Sequence, residues 1–200
     1  MSQLDFRNDD ELRAWLERAG IDLSPWGRGS AKQVADLWAE YRNGESRFIS
    51  DPPSRLVEVV QVNIRRGDDV LIEVEQEFKD GRRRIRTLPP AEKLKQGETP
   101  HEAAVRCLQE ELGLAEGEVS LLREATEAEE DIISTSYPGL PTHYLLHIFE
   151  AATDALPDED FYRRNIPGEP IYRHLWGWRP NTATSEEGEA AANEGGSAKR

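Results

Sequence analysis

The residues best suited to chemistry lie between Glu92 and Leu114. There Arg106 precedes Glu110 and Glu111, and Gly113 and Leu114 follow. Neighbouring side chains on a helix project about 100° apart, so two adjacent carboxylates share a face only with help from a group three or four places back. Position 107 stands in both relations, and it holds Cys107, the only cysteine of the chain. Carboxylate oxygens in such a patch suit a hard divalent cation, which keeps several waters and also binds substrate phosphates. Glu98, eight residues before Arg106, is placed to hold its guanidinium in a charge-assisted pair.

These groups need a helix to carry them, and the sequence supplies one. Thr99 is an N-cap with Pro100 at the first helical position and Glu102 three after the cap, and Gly113 is a stop, which predicts a helix over 99–112. Upstream, strands are expected over 56–64 and 70–78, joined by Gly67-Asp68-Asp69, and then over 82–88, which Pro89 and Pro90 end. Further strands are expected over 118–123, 143–152 and 171–178, with the acidic stretch Glu124, Glu127, Glu129, Glu130 and Asp131 as a solvated loop and Tyr137-Pro138-Gly139 as a turn. Glu73, Glu75 and Glu77 alternate on one strand and are expected to face solvent, while Arg82, Arg84 and Arg86 share a face on the next. Two short helices precede all this. One is capped by Asp9 or Asp10 and buries Leu12, Trp15 and Leu16; the other is capped by Ser30 and buries Val34, Leu37, Trp38 and Tyr41. At helical spacing, Trp15, Trp26 and Trp38 are read as packing residues.

The segment 92–114 resembles the Nudix box: Gly, five residues, Glu, seven residues, Arg-Glu, an aliphatic, any residue, Glu-Glu, any residue, Gly and an aliphatic. Glu98, Arg106, Leu108, Glu110, Glu111, Gly113 and Leu114 fall in register, seven of the nine specified positions. The resemblance implies an α/β fold, the Nudix α/β/α sandwich with a mixed β-sheet, here with a short N-terminal helical extension. The expected organisation is an extension over 1–50, a Nudix-like domain over 55–180 and a disordered acidic tail over 181–200. The resemblance further implies Mg²⁺ or Mn²⁺ as cofactor, Glu110 and Glu111 as metal ligands, Glu98 and Arg106 as the scaffold of the catalytic set, and a nucleotide-type small molecule as partner. Two positions depart from the pattern. Glu92 replaces the first Gly, and Cys107 replaces the Glu after Arg, a principal metal ligand in the family. A thiol, with an ordinary pKa of about 8.5, is a soft donor ill matched to Mg²⁺. In many relatives a later loop supplies a further carboxylate, a role open here to Glu127, Glu129 or Glu130.

Three functional readings follow. One is a divergent hydrolase that splits a nucleoside diphosphate linked to another moiety. Another is a catalytically inactive Nudix-fold module that binds a nucleotide or a protein partner, a second copy of the chain included. An assembly factor acting through the N-terminal helices is a third. Composition narrows the field. Of the 200 residues, 39 are Asp or Glu and 25 Lys or Arg, a net charge of −14. The tail carries only −2 of it, so the acidity belongs to residues 1–180. Such a balance argues against general nucleic-acid binding and against docking on an anionic membrane. A single cysteine forms no internal disulfide, no apolar run reaches the ~20 residues of a membrane span, and Asp5, Asp9, Asp10 and Glu11 do not suit a secretory signal. The expected setting is cytoplasmic.

Overall fold

The computed structural model describes residues 4–29, 31–122, 126–164 and 171–181. In chain order the elements are α1 (Asp9–Arg18), α2 (Val34–Arg42), β1 (Arg47–Ser50), β2 (Pro53–Arg66), β3 (Asp69–Phe78), β4 (Arg83–Leu88), β5 (Ala91–Lys93), α3 (Pro100–Leu112), β6 (Ser120–Leu121), β7 (Thr126–Ile133), β8 (Pro141–Ala152), β9 (Phe161–Arg164) and β10 (Ile171–Pro180). This is the expected α/β class, a mixed open sheet with three α-helices among the described residues. None of those helices is long and apolar enough to cross a membrane. The tail expected over 181–200 lies, from residue 182 onward, outside the described residues, as do Ser30 and Glu124.

The chain forms two compact units. In the first, which holds α1, α2 and α3, β1 and β5 each pair antiparallel with β2, and β7 pairs antiparallel with β8. Its core gathers Leu12, Trp15 and Leu16 of α1, Val34 and Leu37 of α2, and Phe48, Tyr137 and Leu140. The three tryptophans read as packing residues divide here: Trp15 and Trp26 are buried, whereas Trp38 packs against the core only in part. Asn8 caps α1, accepting from the Glu11 N–H at 2.9 Å, one residue ahead of the acids expected to do so. The second helix starts at Val34 behind Gln33, whose own N–H donates to Asp36 at 2.7 Å. At its far end Gly44 has φ +78°, and a Cβ there would lie 2.7 Å from the Gln96 backbone nitrogen, so α2 closes tightly on the segment leading to α3.

In the second unit β10 pairs antiparallel with both β3 and β9, β4 pairs with β3, and β6 pairs with the end of β8. The β2–β3 turn falls where Gly67 and Asp68 predict it, with Arg66 opposite Asp69. Two expectations are corrected. Glu73 does not face solvent: it is buried, with His174 Nδ1 at 2.5 Å and Arg86 Nε at 3.2 Å. Arg83 and Arg84 are likewise occupied, pairing with Glu75 and Gln76. In the first unit the acidic stretch expected as a loop is strand β7, in register with β8 from Thr126–Ile148 to Ile133–Pro141. Its acids at 127, 129 and 131 fall on alternate residues, and all three are exposed, a strand pattern in a stretch whose composition reads as loop.

One ionic cluster ties the first unit together. Glu40 of α2, only 6% exposed, accepts from Arg55 Nη2 of β2 at 2.5 Å and from Lys32 Nζ at 2.8 Å, and lies 2.8 Å from Lys93 Nζ of β5. Ser46 Oγ donates to it at 3.3 Å and accepts from Arg55 Nε at 2.8 Å. Burial alone would raise the Glu40 pKa, but the Lys93 and Arg55 charges and the lysine hydrogen bonds hold it down at about 2. Replacing Glu40 by Ala leaves three cations around an empty place, and we expect a loss of about 3–5 kcal/mol in urea denaturation at pH 7. Because the folded pKa is depressed, this contribution is complete above the ordinary carboxylate range and fades as pH falls toward 2. The gap between wild type and Glu40→Ala should therefore narrow steadily in acid.

Candidate functional site

The box helix α3 is fixed at both ends by its own sequence. Thr99 N–H donates to Glu102 Oε2 at 2.8 Å, and the Glu102 N–H returns to Thr99 Oγ1 at 3.3 Å. Gly113 takes φ +68° and donates to the Gln109 carbonyl at 2.9 Å, closing the helix in the left-handed conformation that glycine adopts without strain. Ala103, Ala104, Cys107, Leu108 and Leu112 are buried, so Arg106, Glu110 and Glu111 border the buried stripe rather than lie within it.

Arg106 is the centre of the site. Its Nε donates to Glu98 Oε1 at 2.7 Å and its Nη2 to Glu98 Oε2 at 2.9 Å, a two-pronged pair that the eight-residue spacing anticipates. Nη2 also donates to the Lys93 carbonyl at 2.8 Å, and Nη1 to Glu110 Oε2 at 3.1 Å. Glu98 takes one more bond, from the Lys95 N–H at 2.9 Å. The Arg106 hydrogen bond holds the Glu98 carboxyl below its usual range, and Glu98 in turn raises Arg106. One guanidinium thus fastens β5, the loop after it and the helix. Sequence spacing finds Glu98 and Arg106; it gives no signal for the Lys93 carbonyl, because a backbone acceptor has no residue type.

The carboxylates expected to hold metal are arranged less favourably. Glu110 is exposed and faces two cations, Arg106 at 3.1 Å and Lys95 Nζ at 3.8 Å. Glu111 is half-buried. Between their two helical rows sits Cys107, wholly buried; burial pushes its thiol well up, and the charges of Glu111 and Glu92 push it further. Glu92, the other departure, is half-buried in β5 and accepts from the Lys93 N–H at 2.9 Å. Burial raises its carboxyl too, against the Arg106 charge. The two departures from the family pattern are thus electrostatic neighbours. Among the described residues no three His, Cys, Asp or Glu side chains are grouped to hold a metal ion. A protonated buried thiol and a carboxylate engaged by Arg106 do not fit the three-carboxylate donor set of a Mg²⁺ site.

The later acids stand elsewhere. Glu127 and Glu129 lie exposed on β7, and Glu127 approaches His147 Nδ1 at 3.6 Å. His147 is buried, with Glu58 Oε2 3.5 Å from its Nε2, a contact between three strands that no spacing rule anticipates.

A family model described as the NUDIX domain matches residues 55–169. Among solved structures, a NUDIX hydrolase from Nitrosomonas europaea is 22% identical over 66% of this chain and 77% of its own, with a TM-score of 0.39. An Ap4A hydrolase from C. elegans is 17% identical over 68% of this chain and 89% of its own, also at 0.39. A MutT NUDIX hydrolase from Burkholderia pseudomallei is 20% identical over 62% and 83%, at 0.37. No curated protein matches the chain.

Because the folded state favours protonated Glu92, its ionisation costs stability, and the cost grows as pH rises from the unfolded toward the folded pKa. Replacing Glu92 by Gln keeps an acceptor for the Lys93 N–H and removes the charge. We expect Tm to rise by about 2–4 °C at pH 7, with the gain vanishing below the ordinary carboxylate range; differential scanning calorimetry across pH checks both parts.

Proposed function

The chain belongs to the Nudix family, and from that premise we propose that it is a Nudix-fold module that holds a nucleotide-type small molecule at the box without the family's full metal-dependent chemistry. Cys107 carries this reading. The box position from which a metal carboxylate would project is filled by a thiol with no exposed surface and a raised pKa. Such a group offers a hard cation neither charge nor oxygen. What persists is the positioning half of the box: the Arg106–Glu98 pair keeps the loop in place whether or not a phosphate is cleaved beside it. The acidic composition and single cysteine suit a cytoplasmic setting.

A second reading, residual hydrolysis of a nucleoside diphosphate linked to another moiety, is favoured by one observation. Glu92 brings a carboxyl close enough to act on the Cys107 thiol, so a carboxyl missing from the helix has a counterpart on the preceding strand.

Turnover separates the two. Wild type, Cys107→Glu and Glu111→Gln are assayed with Mg²⁺ and with Mn²⁺ against ADP-ribose, dinucleotides, nucleoside triphosphates and capped RNA. The module reading expects no turnover in wild type and a gain in Cys107→Glu. Turnover by wild type that Glu111→Gln abolishes would overturn it and establish the hydrolase.

A further inference from the structure

The first unit contains a cavity of about 580 Å³ that Glu98 of the box borders and that the box helix does not line. Its walls come from the N-terminal extension and from the segment that leads into α3. Phe6, Trp38, Tyr41, Arg42, Arg47 and Lys95 are among the residues that line it. The volume falls within the range of small-molecule sites, roughly 300–1,000 Å³.

Two chemical features mark it. The first is a flat aromatic wall. Trp38 stacks on Tyr41 with ring centroids 5.4 Å apart and planes 27° apart, and Phe6 meets Tyr41 edge-on at 5.5 Å. Tyr41 Oη accepts from the Phe6 N–H at 3.0 Å, which locks the wall in place. Trp38 is half-buried, so the indole is braced from behind while part of it reaches the cavity. The second feature is the balance of charge around the space. Its acids already have partners: Glu58 pairs with Arg47, Glu98 with Arg106, Glu45 with Lys93 at 3.7 Å, and Asp5 accepts from Tyr41 Oη at 3.4 Å. Arg42, four residues after Trp38 on the same helix, is exposed and makes no ion pair or hydrogen bond among the described residues. Lys95 has only the long 3.8 Å approach to Glu110. A braced aromatic face beside an uncompensated guanidinium and a loosely held ammonium matches a ligand with a planar ring at one end and a phosphate-type anion at the other.

We infer that the N-terminal extension and the pre-helix segment together form a binding site, distinct from Glu110 and Glu111 of the box helix though bordered by Glu98, for a small molecule joining an aromatic ring to a phosphate, such as a nucleoside monophosphate. In it Trp38 stacks on the ring, and Arg42, assisted by Lys95, holds the phosphate. The site gives the extension a role in binding as well as in packing.

The test is isothermal titration of the full chain with AMP, adenosine and orthophosphate, each alone, with Trp fluorescence followed in parallel. AMP should bind more tightly than either fragment. Arg42→Ala should weaken AMP about tenfold or more and leave adenosine unchanged, because one charge-assisted contact is lost. Trp38→Leu should weaken both AMP and adenosine by about tenfold or more. Trp38→Phe, which keeps a ring and the packing, should recover most of that loss. Arg18→Ala, at an exposed arginine of α1 outside the cavity, should leave AMP binding as in wild type. The inference fails if AMP gives no binding at millimolar concentration, or if Arg42→Ala and Trp38→Leu both bind it as wild type does. It fails equally if Arg18→Ala weakens AMP as much as Arg42→Ala does, which would make the effect one of overall charge rather than of this site.

Discussion

A single buried carboxylate, Glu40, faces three cations from three parts of the chain. Removing charges from water costs several kcal/mol per ion, and only close, well-directed partners recover it. Here they are close on every side, and the constraint spreads outward. Lys93 belongs to β5, and its own carbonyl receives Arg106. The side chain and the backbone of one residue therefore join the ionic cluster of the extension to the box arginine. Within the first unit, α2 of the extension and the box helix α3 are held by the same short strand.

That strand also carries one of the two positions at which this chain departs from the family's box. The Arg106–Glu98 pair, the Thr99 cap and the Gly113 stop are structural devices, and all three persist. The altered positions, 92 and 107, bear on charge. Where the family pattern has a carboxylate, 107 holds a buried thiol; where it has a glycine, 92 holds a half-buried acid. Burial favours the protonated form of both groups. A metal site is stabilised by ionised oxygens, and the same burial that quiets these two groups works against it.

Features set by neighbours in sequence were legible before the fold was known. The limits of α3, its reciprocal cap and the β2–β3 turn follow from residues a few places apart. So did the Arg106–Glu98 pair, since eight residues bridge a cap and two helical turns. Features decided by partners distant in the chain were not. The acids of β7 read as loop because strand propensity is a property of the pairing edge, here supplied by β8. Glu73 read as solvent-facing because nothing near it announces His174, a hundred residues on. Glu40 has the position of an ordinary helix-surface acid; only the fold gathers Arg55 and Lys93 around it. The hydrophobic pattern places a residue on a face, and electrostatic complementarity across the fold decides whether a charge may remain there.

The only sulfhydryl of the chain lies at zero exposure on the packed face of α3. Cysteine reagents attack the thiolate, and this thiol is both shielded and held protonated. Alkylation of the native protein is thus confined to moments when the box helix lifts from its packing. The residue that stands where the family's box has a glutamate thus makes alkylation a gauge of the rate at which that helix opens and closes.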